Sequence, residues 1–116
     1  MLMLPPSVRI YLATAPVDCR KSFDGLAALV RHVFGQDPLC GHIFVFRNRR
    51  GDHLRALVWD RSGFVLLCKR LERGVFRWPE APSAGSAEVT VDPAQLAMLL
   101  DGVDLTSVRR SPRWPP

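Results

Sequence analysis

The sequence predicts an α+β domain in which an antiparallel β-meander is packed by two helices. Three observations support this fold class: closely spaced turn signals across residues 48–74, an alternating apolar run near residue 10, and two stretches with helical apolar spacing. The chain has 116 residues, of which 47% are hydrophobic, enough for one domain with a core. We expect residues 1–106 to form that domain and residues 107–116, rich in arginine and proline, to be a disordered tail.

The first strand and the first helix are predicted in the first third of the chain. Apolar residues alternate with others over residues 8–13, which is the period of a strand. Ser22 or Asp18 is a candidate N-cap for the following helix, and Gly35 is its expected end. The helix is indicated by an apolar stripe at steps of three and four, formed by Phe23, Leu26, Ala27, Val30 and Phe34.

The centre of the chain carries the signals of the meander. Three segments have the β-branched and aromatic content of strands and are separated by turn sequences; they are residues 42–47, 54–59 and 64–71. A fourth, shorter strand is predicted over residues 75–78, before Pro79.

The last elements follow a loop at residues 80–87, which is rich in Ala, Ser, Pro and Gly. A short strand is predicted at residues 88–91. Asp92 and Pro93 then resemble a capped helix start, because an acidic N-cap is followed by proline at the first helical position. We expect this helix to end at Gly102 and to bury an apolar face formed by Leu96, Leu99 and Leu100.

The charge of the chain favours an anionic partner. The net charge is +5, and the cations are nearly all arginine, since the lysines are Lys21 and Lys69 alone. Arginine presents a planar fork of donors that fits phosphate, and nucleic acid is the commonest partner of such a chain. The plainer alternative is that a positive charge only keeps the protein soluble.

Three cysteines without paired spacing argue against a disulfide framework. No leader peptide is evident, and no apolar run approaches the ~20 residues needed to span a membrane. The sequence therefore predicts a cytoplasmic protein that uses no membrane, cofactor or small-molecule substrate.

The predicted meander contains nine cations and three acids, interleaved with aromatic residues. A sheet with this content is able to hold a phosphate backbone and to stack on bases. The candidate DNA-binding residues are Arg47, Arg49, Arg50, Arg55, Lys69, Arg70, Arg73 and Arg77, with Trp59 and Trp78 as stacking residues. The alternative is that the aromatic side chains are buried in the core and that the arginines only keep one face of the sheet exposed to solvent. A one-residue change of register separates the arginines, so the sequence leaves both interpretations open.

A second candidate phosphate contact lies before the first helix, at Arg20 and Lys21. Ordinary capping with solvated basic residues is the alternative. Histidine and cysteine spacing does not fit a metal site, and no nucleophile motif is present. A metal-dependent nuclease using acids such as Asp18 and Asp60 is a third and weaker hypothesis.

Six motifs in one order resemble a known family. They are RIYLAT at 9–14, DCRKSFDGL at 18–26, GHIFVFRNRRGD at 41–52, WDRSGF at 59–64, KRLERGVFRWP at 69–79 and PAQLAMLLDG at 93–102. Over about residues 4–105 the chain resembles the small accessory proteins, called TnpB, of the insertion sequence 66 family of bacterial transposable elements. Cys19 stands where that family is expected to have methionine, and the tail after Val108 departs from the pattern.

The resemblance implies a non-catalytic accessory role in transposition, beside a separate and larger transposase that carries the catalytic acids. It implies no catalytic or ligand-binding residue for this chain. Two functions follow as hypotheses: binding of DNA through the arginine-rich sheet, or docking on the transposase as a protein-interaction module.

Overall fold

A five-stranded β-sheet forms the centre of the protein, and helical segments cover both of its faces. The structure, a computed structural model, describes residues 7–102. The strands are β1 (Ile10–Ala13), β2 (Ile43–Arg47), β3 (His53–Trp59), β4 (Phe64–Arg70) and β5 (Glu88–Val91). The helices are α1 (Phe23–Leu29), which continues as a π-helical stretch over Val30–Phe34, and α2 (Pro93–Leu100). The predicted α+β class is confirmed; the predicted tail at 107–116 lies outside the described residues.

The strand order across the sheet is β4-β3-β2-β1-β5. As predicted, β2, β3 and β4 form an antiparallel meander. In contrast, β1 pairs with β2 in parallel, with Ile10 opposite Ile43. Parallel neighbours need a crossover connection, and α1 supplies it. On the other side of β1, β5 pairs antiparallel, so β1 is an interior strand.

The sheet is buried on both faces. Phe44 and Phe46 point to one side, which we name the α1 face because α1 and the π-helical stretch pack on it. Ile43 and Val45 point to the other side, the α2 face, which packs against α2. This two-sided burial explains the unbroken apolar sequence of β2. Each of these side chains contributes roughly 1.5–3 kcal/mol through removal from water.

The helix ends follow local chemistry. Asp92 accepts a hydrogen bond from the Gln95 N–H (2.7 Å), and the Gln95 side chain accepts one from the Asp92 N–H (2.9 Å). This capping box confirms the predicted start of α2. Gly35 ends the π-helical stretch with a φ of +63°, also as predicted. Ser22 precedes α1 without a side-chain cap, and Phe23 is 45% exposed rather than part of the buried stripe.

Residues 75–78 do not form the predicted fourth strand of the meander. The Phe76 N–H donates to the Gly51 carbonyl oxygen (2.8 Å), and the Trp78 N–H donates to the Phe76 carbonyl oxygen (3.0 Å). These bonds turn the segment across the end of the β2–β3 hairpin, and the Phe76 side chain is buried on the α2 face. The segment therefore contributes one fully buried anchor, Phe76, in place of a strand, and β4 is left as an edge strand of the described sheet. Within the described range, no helix is long and apolar enough to cross a membrane.

Candidate nucleic-acid interface

The register of β3 and β4 separates the predicted cations onto two faces. Lys69 lies opposite Leu54 and therefore on the α2 face. Its Nζ donates to the carbonyl oxygen of Leu100 at the end of α2. Arg55 and Arg70 occupy the alternate positions and belong to the α1 face. The strand cations thus do not form one continuous surface.

The tip of the β2–β3 hairpin is held by the side chain of Asn48. Its Oδ1 accepts from the N–H groups of Gly51 (2.9 Å) and His53 (3.0 Å), and its Nδ2 donates to Asp52 (2.9 Å). The bond from Asn48 also holds the pKa of Asp52 below its ordinary value. Gly51 adopts a φ of +80°, a conformation that glycine tolerates best. This network fixes a turn that presents two exposed side chains, those of Arg49 and Arg50.

The segment before α1 runs beside this hairpin. The Val17 N–H donates to the carbonyl oxygen of Arg47 at 2.9 Å, which joins the segment to the end of β2. The Asp18 carboxylate accepts from the Arg20 N–H (3.0 Å) and from its Nε (3.1 Å) and Nη2 (3.3 Å). These bonds from Arg20 hold the pKa of Asp18 below its ordinary value. Both side chains are exposed, so the ion pair is open to competition by a stronger anion.

Between the segment and the hairpin lies a cleft of about 590 Å³, which we name the arginine cleft. Arg55 extends from β3 into it, and its Nη1 donates to the Lys21 carbonyl oxygen at 3.2 Å. Four arginines and two aspartates line the cleft, a formal charge of +2; they are Arg20, Arg49, Arg50, Arg55, Asp18 and Asp52. The structure therefore brings together four of the predicted cations from three separate parts of the chain.

Other predicted cations lie outside the lining of the cleft. Lys21 contributes its carbonyl oxygen to Arg55, and its side chain is exposed next to Arg20. Arg70 lies at the end of β4, opposite His53 in the register. The remaining two, exposed in the segment that follows β4, are Arg73 and Arg77.

The side chain of Arg47 is engaged in contacts within the protein. Its Nη2 donates to the Thr14 carbonyl oxygen at 3.0 Å, and its guanidinium carbon lies 5.5 Å from the centre of the Trp78 ring. Burial lowers its pKa, and its buried Nε has no partner among the described residues. Its donors are therefore turned toward the protein rather than toward a ligand.

The two predicted stacking residues lie away from the cleft. Trp59 packs edge-on against Phe64, with ring centres 5.1 Å apart. It is at the opposite end of β3 from His53, about 20 Å away at roughly 3.3 Å per residue. The indole N–H of Trp78 donates to the Ala13 carbonyl oxygen at 2.7 Å. Neither ring lines the arginine cleft.

Sequence reasoning predicted part of what shapes the cleft. Asn48 and Gly51 are typical turn residues and lie in the predicted hairpin turn, but the hydrogen bonds by which Asn48 holds that turn were not predicted. The approach of Cys19 and His53, which also line the cleft, was not readable, because it depends on the parallel pairing of β1 with β2. Cys19 is buried, and burial raises the pKa of its thiol to about 11.

The acids considered for a nuclease site lie apart. Asp18 lines the cleft. Asp60 follows β3 at its far end, where its carboxylate accepts from the Ser62 N–H at 3.4 Å. Among residues 7–102, no group of three His, Cys, Asp or Glu side chains is placed to hold a metal ion.

Comparison with known proteins identifies the family. Residues 8–110 match the family model described as IS66 Orf2 like protein. The chain belongs to the IS66 Orf2-like family. This IS66 Orf2-like chain is 43% identical over 112 residues to Uncharacterized protein y4jC of Sinorhizobium fredii (strain NBRC 101917 / NGR234), covering 95% of this chain and 93% of that protein. It is also 43% identical over 104 residues to Uncharacterized protein y4hO of the same strain, covering 88% of each chain. No solved structure matches it significantly.

The resemblance found in the six motifs is thereby confirmed. Membership gives the IS66 Orf2-like chain an accessory role in the transposition of an insertion sequence. The matched region includes the whole hairpin and the segment before α1, so the arginine cleft is built entirely from residues within the family domain.

Proposed function

We propose that this IS66 Orf2-like protein serves transposition by binding DNA through the arginine cleft. One observation carries the proposal: guanidinium groups from the segment before α1, from the hairpin tip and from β3 line one cleft. A guanidinium group binds phosphate through two parallel hydrogen bonds and remains charged at any physiological pH. A cleft with four such groups is suited to the backbone of a nucleic acid.

The local pairing of the acids supports this assignment. Asp18 is bonded to Arg20, and Asp52 is bonded to the neutral amide of Asn48. Neither carboxylate makes an ion pair with Arg49, Arg50 or Arg55 among the described residues, and the cleft keeps a formal charge of +2 after both acids are counted. The net charge of +5 adds a long-range attraction for a polyanion.

We include Lys21 and Arg70 in the proposed contact surface, because each neighbours a residue of the cleft. Arg73 and Arg77 extend the positive charge into the next exposed segment. Lys69 is assigned to the contact with α2 and is left out of the surface. The proposal gives the chain no chemical step, and the separate transposase cuts and joins the strands.

The test is a fluorescence anisotropy titration of the full chain against DNA from the ends of the element, across a salt series. Arg49→Ala/Arg50→Ala removes two phosphate contacts, so the dissociation constant should rise for every DNA sequence. The slope of log K against log salt should become shallower by about two, since each phosphate contributes roughly 0.9.

The matched control is Arg31→Ala/Arg61→Ala, which removes the same charge from two exposed positions outside the cleft. This control should keep the salt slope of the native chain. Equal affinity and equal slope in the cleft variant and the native chain would contradict the proposal.

Docking on the transposase is a second candidate function, and the edge strand β4 favours it. Val65 is 38% exposed and Leu67 is 46% exposed, on a strand that has no neighbour on its outer side within residues 7–102. An exposed strand edge accepts a strand from a partner through backbone hydrogen bonds, with apolar side chains adding affinity.

This candidate is tested by co-purification with the transposase after nuclease treatment. Leu67→Lys should abolish a complex that forms on β4, because it places a charge in the middle of the apolar edge. Leu39→Lys is the matched control, since Leu39 is 47% exposed outside the sheet. Retention of the complex by the Leu67 variant would reject docking at this edge.

A further inference from the structure

The lining of the arginine cleft distinguishes between two kinds of nucleic-acid ligand. Proteins that bind single strands combine a basic groove with aromatic side chains on which successive bases stack. Of the residues that the structure describes, those lining the cleft include no Phe, Tyr or Trp. The lining has one aromatic ring, the imidazole of half-buried His53, so the cleft offers mainly charge and hydrogen-bond donors and no row of rings on which successive bases could stack.

The aromatic residues of the domain are engaged elsewhere. Tyr11, Phe34 and Phe44 pack on one another on the α1 face, with ring centres 5.0–6.3 Å apart. Trp59 and Trp78 lie outside the cleft, as described above. Phe23 is 45% exposed and also lies outside the lining.

The walls of the cleft are fixed before any ligand arrives. Asn48 holds the hairpin with three side-chain hydrogen bonds. Across the cleft, Arg55 is bonded to the Lys21 carbonyl oxygen, and the Val17 N–H is bonded to the end of β2. A cleft whose backbone walls are fixed matches a ligand whose phosphates are also held at fixed spacing, as they are in a duplex.

From these three observations we infer that the ligand of the arginine cleft is the sugar–phosphate backbone of double-stranded DNA, bound without base stacking. The inference rests on the proposed DNA-binding function and makes it more specific. A duplex carries one charge per 1.7 Å of its axis and releases more counterions per phosphate than a single strand does. A single strand regains affinity by stacking, which adds roughly five- to a hundredfold per base, and the cleft has no row of aromatic rings to provide it for successive bases.

The expected preference follows from the salt slopes, which are about −0.9 per phosphate for a duplex and about −0.7 for a single strand. With three phosphate contacts, one each for Arg49, Arg50 and Arg55, and with equal affinities at 1 M salt, duplex DNA should bind roughly sixfold more tightly than a single strand at about 50 mM salt. The preference for duplex DNA should shrink as the salt concentration rises, because the affinity for the duplex falls more steeply with salt than the affinity for a single strand.

The experiment is an anisotropy competition with the full chain. A labelled 20-base-pair duplex is displaced by the same unlabelled duplex or by either of its single strands. Native protein, Arg49→Ala/Arg50→Ala and Phe23→Ala are compared. The inference expects the duplex to compete several-fold better than either strand, and it expects Phe23→Ala to leave both affinities unchanged.

The outcomes separate this inference from the proposed function. Tighter binding of a single strand, or loss of binding in Phe23→Ala, overturns the duplex inference while DNA binding stands. Binding that is unaffected by Arg49→Ala/Arg50→Ala removes the proposed function, and the inference with it. Duplex preference that is lost in the double arginine variant supports both.

Discussion

The guanidinium carbon of Arg47 lies 5.5 Å from the centre of the Trp78 ring, and both side chains bond to the end of β1. The Arg47 Nη2 donates to the Thr14 carbonyl oxygen (3.0 Å), and the Trp78 indole N–H donates to the Ala13 carbonyl oxygen (2.7 Å). This pair joins the segment after β4 to two consecutive carbonyl groups at the other side of the sheet. It uses an arginine and a tryptophan for stability, although their residue types suggest recognition of DNA.

The first prediction concerns that tryptophan. Trp78→Phe keeps an aromatic ring under Arg47 but removes the indole donor, which leaves the Ala13 carbonyl oxygen without this partner. The free energy of unfolding should fall by about 1–3 kcal/mol, measured by urea denaturation. Trp59→Phe is the control, since within residues 7–102 the indole N–H of Trp59 makes no hydrogen bond and its ring packs edge-on against Phe64. A loss in Trp78→Phe no larger than in the control would contradict the assignment, and DNA affinity should be unchanged in both.

The second prediction concerns the acid of the cleft. Asp18→Asn keeps an oxygen that accepts from the Arg20 N–H, but it removes the negative charge and raises the formal charge of the cleft from +2 to +3. DNA should bind a few-fold more tightly at low salt, and the salt slope should steepen by at most about 0.9. The matched control is Asp37→Asn, where the carboxylate accepts from the Leu39 N–H outside the cleft. An equal gain in both variants would show that only net charge matters.

The third prediction concerns thiol reactivity. Cys40 and Cys68 are exposed, whereas Cys19 is buried and its pKa is raised to about 11. The thiolate is the reactive form, so Cys19 should stay protonated and inaccessible at pH 8. Titration with a chromogenic disulfide should detect two fast thiols in the native chain and the third only after unfolding. In Cys40→Ser/Cys68→Ser, fast reaction of the remaining thiol would contradict the burial of Cys19.

The fourth prediction is a dependence of stability on alkaline pH. Burial raises the pKa of Cys19 from an unfolded value near 9.0 to about 11. Between these values the unfolded chain releases the proton and the folded chain keeps it, so unfolding becomes more favourable as the pH rises. Urea denaturation at pH 8 and pH 10.5 should show a loss of stability that is smaller in Cys19→Ala. An identical pH dependence in the two chains would exclude a contribution from this thiol.

The sequence was sufficient for most elements of the fold but not for all of their pairings. The capping box of Asp92 and Gln95 and the glycine at position 35 act within a few residues, so local chemistry predicts both helix ends correctly. The parallel pairing of Ile10 with Ile43 joins residues 33 positions apart, and no local pattern specifies it. At residues 75–78 the error is of another kind, since a strand was predicted that the structure does not contain. The segment instead buries a single aromatic residue, Phe76, in a turn.

The candidate site was predictable in residue type but not in place. An excess of arginine over acids indicated an anionic ligand, and four of the predicted arginines do meet in one cleft. The register of the strands decides which cations reach the cleft. Lys69 and Arg70, for example, are neighbours in the chain but belong to opposite faces of the sheet. Register is set by which apolar side chains are buried across the whole domain, and this information is not local.

The position of β1 between β2 and β5 has a consequence for biosynthesis. β1 is complete once residue 13 has been made, but its second neighbour begins only at residue 88. Until then a nascent chain has one unsatisfied edge of β1 open to other polypeptides. A message truncated before that codon therefore yields a product that exposes this edge, and we expect such fragments to aggregate or to be degraded. Stable product thus depends on ribosomes translating almost to the end of the described domain.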